Sequence, residues 1–124
     1  MIRFELPIKL KTTNELKRML CNPKPKVGAA MYAAYRKKLT EMIEKQVGEH
    51  CNLGKPRVPR RVRITYFTKR LQDEGNFRGL CLKPLEDALV DLQLIRDDSP
   101  EWVKIMAEQI RNSRRAYRVV VEII

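Results

Sequence analysis

Arg61-Val62-Arg63-Ile64-Thr65-Tyr66 places apolar side chains at 62, 64 and 66 and polar ones at 61, 63 and 65. A period of two sends alternate side chains to opposite faces, so this stretch predicts a strand with one buried and one polar face. Upstream, Gly54, Pro56 and Pro59 mark Cys51 to Pro59 as a connector. The cations Lys55, Arg57, Arg60, Arg61, Arg63, Lys69 and Arg70 follow one another with no acid between 55 and 70. Cations on a rigid strand can track a phosphate backbone, which makes these seven the candidate nucleic-acid contacts.

The flanks supply the other elements. Ile2, Phe4 and Leu6 alternate with Arg3 and Glu5 before Pro7, predicting a short N-terminal strand. Lys9 to Lys26 is rich in lysine and interrupted by Pro23 and Pro25, and is expected to be a surface arm. From Gly28 to Val47, Tyr32, Tyr35, Leu39, Met42, Ile43 and Val47 recur at helical steps, with Gly48 as the stop. A second helix is expected over Pro84 to Leu92, where Leu85, Ala88, Leu89 and Leu92 form the apolar stripe and Pro84 suits the first turn. Asp87 is expected to cap a loop or pair with Lys83, and Asp91 to be solvated. Trp102 to Gln109 and Ala116 to Ile124, joined by a turn around Asn112-Ser113, predict a terminal hairpin. Four strands and two principal helices around one core make an α+β domain over residues 1–124.

With 124 residues, the chain is long enough for one core and short for two. Its formal charge of +11 is uneven: residues 73–101 hold eight acids against three bases, a net −5, which leaves +16 elsewhere. Such a distribution favours a polyanionic partner, with an acidic segment able to gather a divalent cation. No apolar run suits a membrane span or a secretory signal, so a cytoplasmic protein without a membrane partner is expected. Cys21, Cys51 and Cys81 form no CxxC pair, and His50 is the single histidine, which argues against a zinc site or a Ser-His-Asp triad.

Three ordered blocks, Asp73-x-x-Asn76, Lys83-Pro-x-x-Asp87-Ala-Leu89 and Asp97-Asp98-Ser99-Pro100, resemble the RusA-type Holliday junction resolvases, in particular their phage and prophage branch. The resemblance is strongest over residues 66 to 102. It implies a small mixed sheet packed with helices, a homodimer, and a crossover junction endodeoxyribonuclease that cuts branched double-stranded DNA with Mg²⁺, or Mn²⁺ as a substitute. Carried onto this chain, it implies Asp73, Asp98 and Lys83 as catalytic residues. It further implies Asp73, Asp98, Asp97 and Glu74 as metal ligands, with Asn76 and Asp87 in support. The family pattern has a second aspartate in its first block where this chain has Gly75. Glycine offers no side-chain ligand, so a second reading stands beside the first: a catalytically weakened protein of the same fold that binds branched DNA.

Overall fold

Residues 1–112 and 116–124 are described by the computed structural model of the chain. Arg60–Thr68 forms strand β2, with Val62, Ile64, Tyr66 and Thr68 buried and Arg61 and Arg63 exposed. Its β-branched and aromatic content suits a half-buried pleated surface. One edge pairs antiparallel with β4, Arg118–Ile123, setting Ile64 opposite Val121. The other pairs parallel with β3, Val103–Arg111, setting Arg61 opposite Lys104. Strand β1, Ile2–Leu6, closes the far edge against β4, so the sheet is mixed and runs β1-β4-β2-β3.

This order corrects the expected hairpin. Both terminal segments are strands, but β2 lies between them. Alternation identifies a strand and the face it buries, yet it says nothing about which neighbour it pairs with. In the turn expected around Asn112-Ser113, Ser113 lies outside the described residues, while the Asn112 N–H donates to the Thr68 carbonyl at 2.8 Å and prolongs the β2–β3 ladder.

The segment expected to be a surface arm holds a helix, α1, over Thr13–Leu20. Thr12 Oγ1 accepts from the Glu15 N–H at 3.2 Å, and the Glu15 carboxylate accepts from the Thr12 N–H at 3.1 Å. This reciprocal cap satisfies two donors that the first turn leaves without partners. Thr13, Leu16 and Met19 form the buried side, an i, i+3 stripe hidden in the sequence by the lysines around it. Pro23 lies beyond the end of α1, and Pro25 opens the next helix, where its missing N–H costs nothing.

That helix, α2, spans Pro25–Val47 and buries Leu39, Ile43 and Val47 at four-residue steps. It passes through a 3₁₀ turn, Gly48–His50, into the connector, where Gly54 takes a φ of 96° that favours glycine. After β2 come a five-residue helix, α3 (Glu74–Arg78), a 3₁₀ turn (Leu80–Leu82) and α4 (Lys83–Asp91), whose Leu85, Ala88 and Leu89 are buried. Phe77 from α3 stacks near Tyr66, centroids 6.1 Å apart. Tyr66 also accepts the Leu10 N–H on its hydroxyl at 3.1 Å, tying the β1–α1 link to the sheet. Among the described residues no helix is long and apolar enough to cross a membrane.

The cap on α1 is directly testable. Thr12→Ala is expected to lower the unfolding free energy by about 1 kcal/mol in urea denaturation, while Thr12→Ser retains most of it. Neutrality of Thr12→Ala would show that the cap adds nothing to the stability of α1, leaving its buried side, Leu16 and Met19, to hold it.

Candidate functional site

The first residue of α4 is Lys83, and Asp87 and Asp91 follow on successive turns of the same face. The Lys83 ammonium lies 3.1 Å from Asp87 Oδ1 and also donates to Asp98 Oδ2, on the loop that leads to β3. The other oxygen of Asp87 accepts the Tyr32 hydroxyl at 2.7 Å, and the Arg36 guanidinium stands 3.8 Å away. Arg36 also pairs with Asp91 through two N–H donors. Asp91 is exposed, as expected, and through Arg36 it also belongs to the seam between α2 and α4. The Asp87 side chain is only 15% exposed, and a carboxylate so placed needs partners; it has three, Lys83, Tyr32 and Arg36.

These contacts set the protonation states. The hydrogen bond from Lys83 is the main influence holding the Asp98 carboxyl below its usual range, and the Asp98 bond raises Lys83 in turn. Burial, followed by the Asp87 hydrogen bond, pushes the Tyr32 hydroxyl up. Burial raises Glu86, on the same helix, to about 7; Lys83 opposes the shift while Asp98 and Asp87 add to it.

The first acidic block is organised differently. Asp73 caps α3, its Oδ2 accepting the Asn76 N–H at 3.2 Å. Glu74 pairs with Arg78 one turn on at 2.9 Å and accepts from the Gln109 amide at 3.5 Å. The Asn76 carbonyl accepts the Thr13 hydroxyl at 3.4 Å, joining α3 to α1. Asp97 Oδ1 accepts the N–H of Asp98 at 2.7 Å and fixes the backbone that presents Asp98. The structure thus brings Lys83, Asp87 and Asp98 together with Asp97 adjacent, while Asp73 and Glu74 engage partners of their own. No group of three His, Cys, Asp or Glu side chains able to hold a metal ion occurs among the described residues.

Mg²⁺ is commonly held by one or two carboxylates, waters and substrate phosphate rather than by an all-protein cage. Asp98 offers an ionised carboxylate, the ligand type that mode uses, but its Oδ2 is taken by the Lys83 ammonium, which a divalent cation would have to displace.

The cations of the β2 region lie in the open. Lys55, Arg57, Arg61, Arg63, Lys69 and Arg70 are exposed and Arg60 is half-buried. None of the seven forms an ion pair among the described residues. From Arg60 to Thr68 the strand covers about 26 Å, at ~3.3 Å per residue. Measured along the axis of a DNA duplex, that length equals the rise of about eight nucleotides of one strand. Two further cations were hidden from a linear reading by the parallel pairing. Exposed Lys104 stands beside Arg61, and Arg111, beside Thr68, helps Lys69, Arg70 and Leu71 line a cavity of 260 Å³.

No protein-family model matches the chain, and no curated protein matches it.

Glu86 makes stability depend on pH. Its folded value of about 7 exceeds the ordinary 4.5, so the folded state binds this proton more tightly. Its contribution is fully present below pH 4.5 and is lost as pH rises toward about 7. After allowance for solvent screening at a half-buried group, the loss is on the order of 1 kcal/mol. Glu86→Gln is expected to flatten this decline when urea denaturation is compared at pH 5 and pH 8. An unchanged slope would show that Glu86 titrates normally.

Proposed function

We propose that this chain binds branched double-stranded DNA as a homodimer and hydrolyses a phosphodiester bond with Mg²⁺, as its resemblance to RusA-type resolvases implies. The observation that carries the proposal is the Lys83–Asp98 pair, an ionised carboxylate and an ammonium held together where α4 begins. It joins an acid that suits a divalent cation to a base that suits phosphate. The exposed cations along and beyond β2 support the choice of nucleic acid as the substrate.

When bound, Mg²⁺ would polarise a phosphoryl oxygen and lower the pKa of a bound water. Asp98 is the principal ligand in this proposal, with Asp73 as the second carboxylate and Asp97 and Glu74 as the remaining candidates. Lys83 offsets negative charge on the transferring phosphoryl group. Asp87, itself held by Tyr32 and Arg36, would still hold the Lys83 ammonium in place if Asp98 served as a metal ligand. Two copies in a dimer supply two sites for paired incisions.

Junction binding without incision is the second reading. It is favoured by Gly75, which removes a carboxylate, and by the pairing of Glu74 with Arg78.

A synthetic four-way junction tests both. With Mg²⁺ or Mn²⁺ the protein is expected to incise it, and Asp98→Asn to abolish incision with affinity kept within about twofold. Replacing Arg61 and Arg63 by Ala is expected to weaken binding and reduce the salt slope by roughly 0.9 for each phosphate no longer neutralised. Tight binding without incision would establish the second reading. Failure to prefer the junction over duplex DNA would defeat both.

A further inference from the structure

A groove of 440 Å³ lies between α2, α1 and the segment joining β1 to α1. Met19, Met31, Tyr35, Leu39 and Met42 form much of its apolar lining, with Ile8 contributed by the joining segment. Three of the chain's five methionines therefore meet here. Methionine is flexible and polarizable, and it adapts to varied apolar partners. Met31 is 46% exposed, and Val27, one turn earlier on α2, is 47% exposed. Apolar surface that is contiguous with a groove and exposed is the kind that interaction sites use.

The rim narrows the occupant. Lys9, Lys11 and Lys38 line the groove and no acid does. Lys11 stands over the Tyr35 ring, 5.2 Å from its centroid, and 4.0 Å from the Glu15 carboxylate just outside the groove. Lys9 stands over the Tyr117 ring at 5.5 Å. Lys38, which has no ion pair among the described residues, is the rim cation most open to a partner's carboxylate. An apolar floor with a cationic rim complements a chain that carries apolar side chains and carboxylates together. A second copy docking about a two-fold axis would apply the same lysine-rimmed surface to itself, opposing like charges. Nucleic acid would satisfy the lysines and leave the methionine floor unused. An anionic bilayer calls for a protruding apolar face, whereas this one is concave.

We propose that this groove docks an acidic, apolar-anchored peptide segment of a partner protein, with its apolar side chains among Met19, Met31 and Met42 and its carboxylates on Lys9, Lys11 and Lys38. The proposal is independent of the DNA reading.

The test is fluorescence anisotropy of the full chain with three fluorescein-labelled helical peptides. The first carries Leu and Phe on one face and Asp and Glu on the other. The second replaces its acids by Lys, and the third replaces its apolar residues by Ser. Only the first is expected to bind, in the micromolar range, and Met31→Asp and Lys38→Glu should each weaken it about tenfold. Both substitutions are at exposed positions, and unchanged circular dichroism and Tm would establish that the variants fold. Equal binding of the serine peptide would reduce the effect to charge attraction and overturn the proposal. Failure of the first peptide to bind, or binding indifferent to Met31→Asp in a folded variant, would also overturn it. So would a dimer in sedimentation, or capture by phosphatidylserine vesicles, that Met31→Asp abolishes, since either would assign the groove to a different occupant.

Discussion

Strand β2 has neighbours on both edges and only one face it can bury, and the placement of everything else follows from that. Its parallel partner β3 cannot be reached by a tight turn. Residues 69–102 must cross over, and they do so carrying α3 and α4. Val62, Ile64 and Tyr66 fix the buried face, and Arg61 and Arg63 are left on the other. The uneven charge of the sequence acquires a spatial meaning in this way. The acidic segment is the crossover itself, and cations occupy the strand it leaves and the loops at both ends of that strand.

The crossover is registered on the long helix by a polar seam. Asp87 takes the Tyr32 hydroxyl, the Lys83 ammonium and the nearby Arg36, and Asp91 takes Arg36 again. Ion pairs of this partial exposure are worth about 0–1 kcal/mol each, so the seam adds little to a fold already held by Leu39, Ile43, Leu85 and Leu89. Its effect is geometric. Lys83 is shared between an acid on its own helix and Asp98 on the following loop, which limits where the ammonium can sit. A lysine with four rotatable bonds becomes a placed charge only when such partners surround it.

Periodicity made β1, β2, α2 and α4 legible in the sequence because each has one dry face and a spacing that displays it. The same signal located β3 and β4 as strands but not the order β1-β4-β2-β3, which depends on pairing between distant segments. Helix α1 was readable through another signal: Thr12-x-x-Glu15 is a capping box, and lysine and proline content obscured it. Within the site, Lys83 and Asp87 are four residues apart and helical spacing predicts their pairing. The link from Lys83 to Asp98 spans 15 residues and that from Tyr32 to Asp87 spans 55, and no local rule relates them. Asp98 entered as a candidate through resemblance; Tyr32 and Arg36 became visible only in three dimensions.

Gly75 has a local physical meaning beyond the loss of a carboxylate. A Cβ at this position would lie 3.2 Å from Asp73 Oδ2, the oxygen that caps α3. That separation is tight, so a side chain at 75 and the observed Asp73 conformation compete for the same space. Glycine relieves the competition in favour of the cap, a contact worth about 0.5–2 kcal/mol to a helix of only five residues. Asp73 must forgo part of that capping energy if it rotates toward a metal, whereas Asp98 exchanges one cation for another. The two carboxylates are therefore unequal candidates. Asp98 is held ionised by the Lys83 ammonium, whereas Asp73 is committed to capping α3.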